Sequence, residues 1–474
     1  MIRVGLVLAV PMVLAFVRPL AAQSDRCFFQ VERVGRQGAQ EPTGTGSFNY
    51  FAGGGVLLVC RNTGVSMESD SVAYYNGGEY TNFIGKVRYV DSTVTMTAAF
   101  GTYYKAGERW EARDSVVLVN RTNGSTLTGP SLDYYRAVTG MRPVEEMVAV
   151  GRPTIQYFGT DSAGRRQEPY LIVADRVRMR GDDQMWAAGT VMIDRSDFAG
   201  RSDSLRLDTG AGNDGTLLGG PPELRGLGTD PYRLTGTRID LTLNENDDLT
   251  FVVAKDSART VSDEWDLVAD TIALDIENDE LEQMLAWGKQ IRPEATSPDY
   301  LIRADSLALD TPDQVLRELR SFGTAWLGSA PDSVTGERDW MAGDTVVARF
   351  REREPDDTAA ATLERLEAHG SARSFRQIPD TESPCPDPSL NYVRGNTIIV
   401  HMKPPPAEEV DRVEIFGQAD GIQLEPCAQP SPADSTRLRA DSTRVRRDSV
   451  ATPGDSVIAP RDSTAPVPTP GDKP

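Results

Sequence analysis

One short phrase recurs along this chain: a small residue, then Asp, then Ser or Thr, then apolar residues at alternate positions. It reads Ala269-Asp270-Thr271-Ile272-Ala273-Leu274-Asp275. It returns as Ala304-Asp305-Ser306-Leu307-Ala308-Leu309-Asp310 and as Gly343-Asp344-Thr345-Val346-Val347-Ala348. Looser copies are Ser69-Asp70-Ser71-Val72, Arg113-Asp114-Ser115-Val116, Ala174-Asp175-Arg176-Val177, Ser202-Asp203-Ser204-Leu205 and Gly395-Asn396-Thr397-Ile398. An internal period of this kind makes a chain a stack of like units, each burying its face against the next. The search for function therefore turns to a continuous surface or groove rather than a compact catalytic pocket.

A second phrase follows the first: apolar residues, a Gly, then a small or apolar residue. Copies are Met147-Val148-Ala149-Val150-Gly151, Met185-Trp186-Ala187-Ala188-Gly189-Thr190-Val191 and Met284-Leu285-Ala286-Trp287-Gly288. Further copies centre on Gly323, Gly370 and Gly417. The steps Asp270 to Asp305 and Gly288 to Gly323 are both 35 residues, so the two phrases move as one unit. A period of this size also suits helical repeats, and 311–320 and 362–369 have helix-compatible composition. The first phrase, however, alternates with period two, as a half-buried strand must. Runs such as Val87-Arg88-Tyr89-Val90 are rich in strand formers, and Asn76-Gly77-Gly78 and Asn123-Gly124-Ser125 separate them as turns. The expected fold is all-β, of stacked strand–turn–strand repeats. The interior Gly of the second phrase marks a bend or bulge where strands turn a corner.

The ends differ from this body. Arg3, the apolar run Val4 to Val17 and then Arg18-Pro19-Leu20-Ala21-Ala22 form the three-part pattern of a signal peptide over residues 1–22. The run is too short to span a bilayer and contains Pro11. Repeats are expected over 23–150 and, continuous with them, over 151–428. Residues 429–474 carry Asp-Ser pairs every seven residues among Pro, Arg and Ala, with no apolar heptad, and read as a disordered tail. An exported chain permits disulfides. Among three possible pairings, Cys27–Cys60 and Cys385–Cys427 each close a modest loop at one end of the array. No metal is expected, since no pair of cysteines has ligand spacing and the histidines are His369 and His401 alone. The formal net charge of −20 argues against nucleic acid and against a polybasic grip on anionic headgroups.

These residues resemble the OstA-like (LptA-like) family of lipopolysaccharide transport, which includes a periplasmic bridge protein and the periplasmic part of an outer-membrane translocon. The resemblance is clearest from Met67 to Tyr75, Gly85 to Tyr89, Met96 to Tyr104, Trp110 to Val116 and Leu127 to Tyr135, and weaker repeats carry it to about residue 420. It implies an elongated open β-jellyroll, a β-taco, whose interior shelters acyl chains of lipopolysaccharide or a related glycolipid in the periplasm. It also implies strand-edge pairing with other β-jellyroll transport proteins or with itself, and association with the outer membrane through a partner. The chain is longer than the bridge protein and lacks the run of amphipathic strands of a membrane barrel.

Alternate residues of the phrases define a candidate lipid-binding groove: Val72 and Tyr74, Val94 and Met96, Val116 and Leu118, Val177 and Met179, Leu205 and Leu207, Ile272 and Leu274, Leu307 and Leu309, Ile398 and Val400. Each acyl methylene buried there contributes about 0.8 kcal/mol, so anionic lipid needs no charged clamp. The competing reading of the same residues is a closed core in a secreted scaffold or surface-interaction protein. No catalytic site is expected: a repeated Asp marks a turn or strand edge, and nucleophile elbows and phosphate loops are missing from the sequence.

Overall fold

The structure is a computed structural model. It describes residues 26–425 apart from 45, 62, 160–164, 211, 229–230, 247, 264, 279, 313–314, 334, 353–361, 379–386 and 406–408. The expected leader, the expected tail, Cys385 and Cys427 lie outside the described residues. Described residues up to Ile378 and from Leu390 to Gln423 form one compact unit; 387–389 and 424–425 fall in a second.

The described residues contain no α-helix, and their strands belong to a single antiparallel sheet. Over the first seven strands, neighbours in sequence are neighbours in the sheet. Phe29–Pro42 pairs with Phe48–Cys60, that strand with Ser66–Tyr75, and the ladder continues through Tyr80–Val90, Val94–Tyr104, Arg109–Asn120 and Thr126–Tyr135. Glu146–Val150 then pairs back to Thr126–Tyr135 and forward to Arg176–Arg180, so the array passes residue 150 without a break. The segments with helix-compatible composition lead instead into the strands Glu318–Pro331 and Leu363–Ile378. There Leu319 and Ser321 point inward at alternate positions, and alternation overrides composition.

Every long strand is broken near its middle. Register shifts recur at one level: between Ile84 and Val87, Ala188 and Val191, Lys255 and Ala258, and Phe322 and Ala325. Opposite these shifts, one long strand meets two short ones: Gln184–Asp194 pairs with Arg176–Arg180 over its first half and with Tyr170–Val173 over its second. The break separates two wings. Wing A holds 71–75, 176–180, 184–188, 204–208, 271–275 and 306–310; wing B holds 66–68, 170–173, 191–194, 198–201 and 300–303.

The two phrases are the two sides of this corner. Gly323 and Thr324 both have left-handed backbone, φ 72° and 42°, and this strand carries one residue more than its neighbour across the break. The Asp305 side chain of the preceding strand lies against Gly323, and a Cβ there would collide with its carboxylate. The Asp305 N–H donates to the Gly323 carbonyl at 3.0 Å. The same contact joins Asp70 to Gly85, Asp175 to Gly189, Asp203 to Gly219, Asp344 to Gly370 and Asn396 to Gly417. At Gly288 the Asp270 carboxylate goes further, accepting bonds from the N–H groups of Lys289, Gln290 and Ile291 at 2.6, 2.8 and 2.8 Å. Those backbone donors hold the Asp270 carboxyl below the usual range.

The small residue before Asp has its own cause. Ala174, Ala269 and Ala304 are wholly buried at the inside of the corner, where the two wings converge. In such a strand the inward positions are the third and first before Asp, then the second and fourth after it. Leu267, Ala269, Ile272 and Leu274 are all buried, as are Ile302, Ala304 and Leu307. The corner therefore shifts the alternation by one residue.

The sheet begins on an edge. Phe29–Pro42 pairs on one side only, with Phe48–Cys60. A disulfide joins Cys27 to Cys60, Cα to Cα 5.0 Å, and clamps the end of this pair. Glu32, Arg33, Arg36 and Glu41 put charge along the edge, which discourages indiscriminate pairing.

Candidate functional site

The inward residues of both wings form one continuous apolar cluster from Cys27 to Val400. Side chains from opposite sides of the corner meet within it. The clearest meeting place is a cavity whose walls come from both wings. Tyr157, Tyr170, Ile172, Ile193 and Phe198 of wing B face Leu205, Leu207, Leu241, Leu243 and Leu249 of wing A, with Thr209 at the end. Its water-accessible volume is about 40 Å³, room for about three waters at roughly 10–15 Å³ each. A smaller space of about 20 Å³ adjoins it, between Leu118, Leu127, Met147 and Ile155. An acyl chain fits such spaces only if the wings part or their side chains rearrange.

Toward the N-terminal end, polar groups tie the wings together. Asp91 follows the wing B half of Tyr80–Val90, and its Oδ2 accepts from the phenols of Tyr89 at 2.9 Å and of Tyr134, on wing A, at 2.8 Å. Its Oδ1 accepts from the N–H groups of Thr93 and Val94 at 2.8 and 2.7 Å. Glu108, at the outer end of wing A, is buried. It accepts from the Cys27 N–H at 2.9 Å and pairs with Arg136 at 2.9 Å. Burial, with Asp91 adding to it, pushes the Tyr89 and Tyr134 phenols up, so both stay protonated as donors. In the stretch of the cavity the facing side chains are apolar. Burial pushes the Tyr170 phenol up to about 12 against the pull of Arg195, and the Tyr232 phenol likewise to about 12.

The structure sorts the sixteen proposed groove residues. Val72, Val177, Leu205, Ile272, Leu274, Leu307, Ile398 and Val400 are buried on the inner face of wing A. Tyr74, Met179, Leu207 and Leu309 lie on the same wing, half-buried toward its outer end. Val94, Met96, Val116 and Leu118 are buried too, but on wing B. The single stripe expected from the sequence is therefore two facing walls. The reason is local. Asp114 and Ser115 have φ 61° and 55°, the left-handed pair found at Gly323 and Thr324, so this copy takes the glycine side of a corner. Asp and Ser tolerate that backbone better than most residues, which is why the phrase is ambiguous.

Most of the wing B wall was missed: Tyr157, Tyr170, Ile172, Ile193 and Phe198. For Tyr170, Ile172 and Phe198 the signal was present as alternation running backward from Asp175 and Asp203, but it falls out of phase with the forward alternation at the corner.

His369 and His401 each lie beside a glutamate. His369 Nε2 lies 3.0 Å from Glu367 and His401 Nε2 3.6 Å from Glu414. No group of metal-ligating side chains occurs among the described residues. No helix among them is long and apolar enough to cross a membrane. No protein-family model matches this chain, and neither does any curated protein.

Proposed function

We propose that the chain is a lipid carrier of the OstA-like kind, an open β-jellyroll exported to the periplasm, whose two wings shelter acyl chains of lipopolysaccharide or a related glycolipid on the way to the outer membrane. The observation that carries this reading is the apolar cavity between wings, walled by Tyr170, Phe198, Leu205, Leu207 and Leu241. An interior lined this way gains by taking up methylene groups, at about 0.8 kcal/mol each. The wing ends near it carry half-buried apolar side chains, Met179, Leu207 and Tyr232, that suit a lipid entry between the wings.

A second reading, a secreted scaffold with a closed core, is favoured by the near-complete burial of Val94, Met96, Leu132 and Ile272. One experiment separates the two. The chain is expressed with its leader, purified without detergent, and its bound lipids are weighed by mass spectrometry. A stoichiometric glycolipid, lost in Leu207→Glu at unchanged melting temperature, is the expected result. Lipid-free protein would assign the chain to the scaffold class.

A further inference from the structure

The two wings are held together differently along the array, and the difference divides the interior. At the N-terminal end they meet through aromatic rings and buried polar groups. The Tyr89 ring on wing B packs on Trp110 of wing A at 5.3 Å and edge-on to Tyr134 of wing A at 5.7 Å, centroid to centroid. Trp110 also neighbours Phe83 and Tyr103. Phe29, at the wing B start of the first strand, packs against both of those rings. Phe83, Tyr89, Tyr103, Trp110 and Tyr134 are each no more than 3 % exposed. Buried Asp91 takes the Tyr89 and Tyr134 hydroxyls onto one oxygen, and Glu108 on wing A accepts the N–H of Cys27 on the wing B side.

Both interior spaces lie on the C-terminal side of this tie. There the cross-wing polar contacts are of a kind that water replaces. Asn120 Nδ2 donates to Asp182 at 2.6 Å at an exposed position, and the hydroxyls of Tyr157 and Thr209 are 3.4 Å apart. Parting the wings at the cavity bares apolar side chains that an acyl chain covers again, methylene for methylene. Parting them at Asp91 leaves a buried carboxylate without its two phenol donors, and an acyl chain offers none in return. We propose that Asp91, with the phenols of Tyr89 and Tyr134, is a stop that ends the lipid compartment on its N-terminal side. The strands behind it, from Phe29–Pro42 to Tyr80–Val90, form a closed cap. Val72, Val94 and Met96 are then core, and the compartment begins at Leu118, which lines the smaller space. A β-jellyroll paired with the edge strand Phe29–Pro42 would extend the sheet but receive no lipid through it. This inference rests on the carrier reading and gives the carrier one closed end.

The test uses the full chain and palmitate that carries a diazirine at its terminal carbon. Irradiation fixes the probe to what it touches, and peptide mass spectrometry places each adduct; competition by plain palmitate identifies the specific ones. Adducts should fall on Leu118, Leu207, Leu241 or Leu243 and be missing from Met67, Phe83, Met96 and Trp110. Tyr134→Ala, which opens a gap in the stop, should raise labelling of Met96 and Trp110 severalfold at unchanged labelling of Leu207. Should that variant fold poorly, Tyr134→Phe removes the cross-wing hydroxyl alone and should shift label in the same direction. Adducts on Met67 or Met96 of the unaltered chain, as abundant as those on Leu207, would overturn the stop and leave the carrier reading standing. Labelling that stays in place in both variants would do the same. A lack of specific adducts on every inner residue would overturn both.

Discussion

At Gly323 a single missing Cβ serves two purposes: it permits the left-handed backbone and leaves room for Asp305. Gly323→Ala therefore carries the left-handed penalty and a steric one, about 2–3 kcal/mol together. Chemical denaturation should show that loss, and an unchanged midpoint would refute this account of the corner. Glu367 contributes to the acid limb of stability. Burial alone would raise its pKa. The hydrogen bond with His369 and the guanidinium groups of Arg365 and Arg349, at 2.6 and 3.2 Å, outweigh that and hold the carboxyl below its usual range. A folded-state pKa below the unfolded one stabilises the fold above the unfolded value of about 4.3, and the contribution is lost as pH falls through the folded value. Glu367→Gln should therefore lose stability near neutrality and show a shallower decline below about pH 4, as read by denaturant midpoints across that range.

An element here is two half-strands joined by a corner, and the corner is a cooperative object. The Asp strand supplies a carboxylate and a small inner residue, and its neighbour supplies a bulge with two left-handed residues. Neither phrase makes sense alone, which is why their steps along the sequence match. Packing at this scale is set by inner residues such as Leu307, 1 % exposed and paired across the ladder with Ala286 and Ser321. Leu307→Ala should cost about 2–5 kcal/mol, by thermal or urea unfolding. A much smaller loss would mean that the interior there is loose enough to collapse around the gap. Strand content and the position of the bends were legible from period two, Asn-Gly turns and the recurring Gly. The pairing of each Asp with a particular Gly was not, because it depends on register between strands rather than on order within one.

For the molecule as a whole, one antiparallel ladder runs through the described residues, so each unit is braced by its neighbours on both sides except at its two ends, the strand Phe29–Pro42 and, among the described residues, the strand Val410–Phe416, which pairs with 397–402 alone. The sequence by itself determined that this is an all-β array with recurring corners, because alternation and turn chemistry act over a few residues and need no partner. It also marked which residues are apolar at inner positions. Only the tertiary structure decided that these residues form two facing walls rather than one stripe. The corner shifts the alternation by one residue, so a side chain's face depends on which side of the bend it stands. Likewise, only the structure closed the N-terminal end with Asp91, Tyr134 and Glu108. Those arrangements join residues far apart in the chain, through a register that is fixed only when the whole sheet has formed.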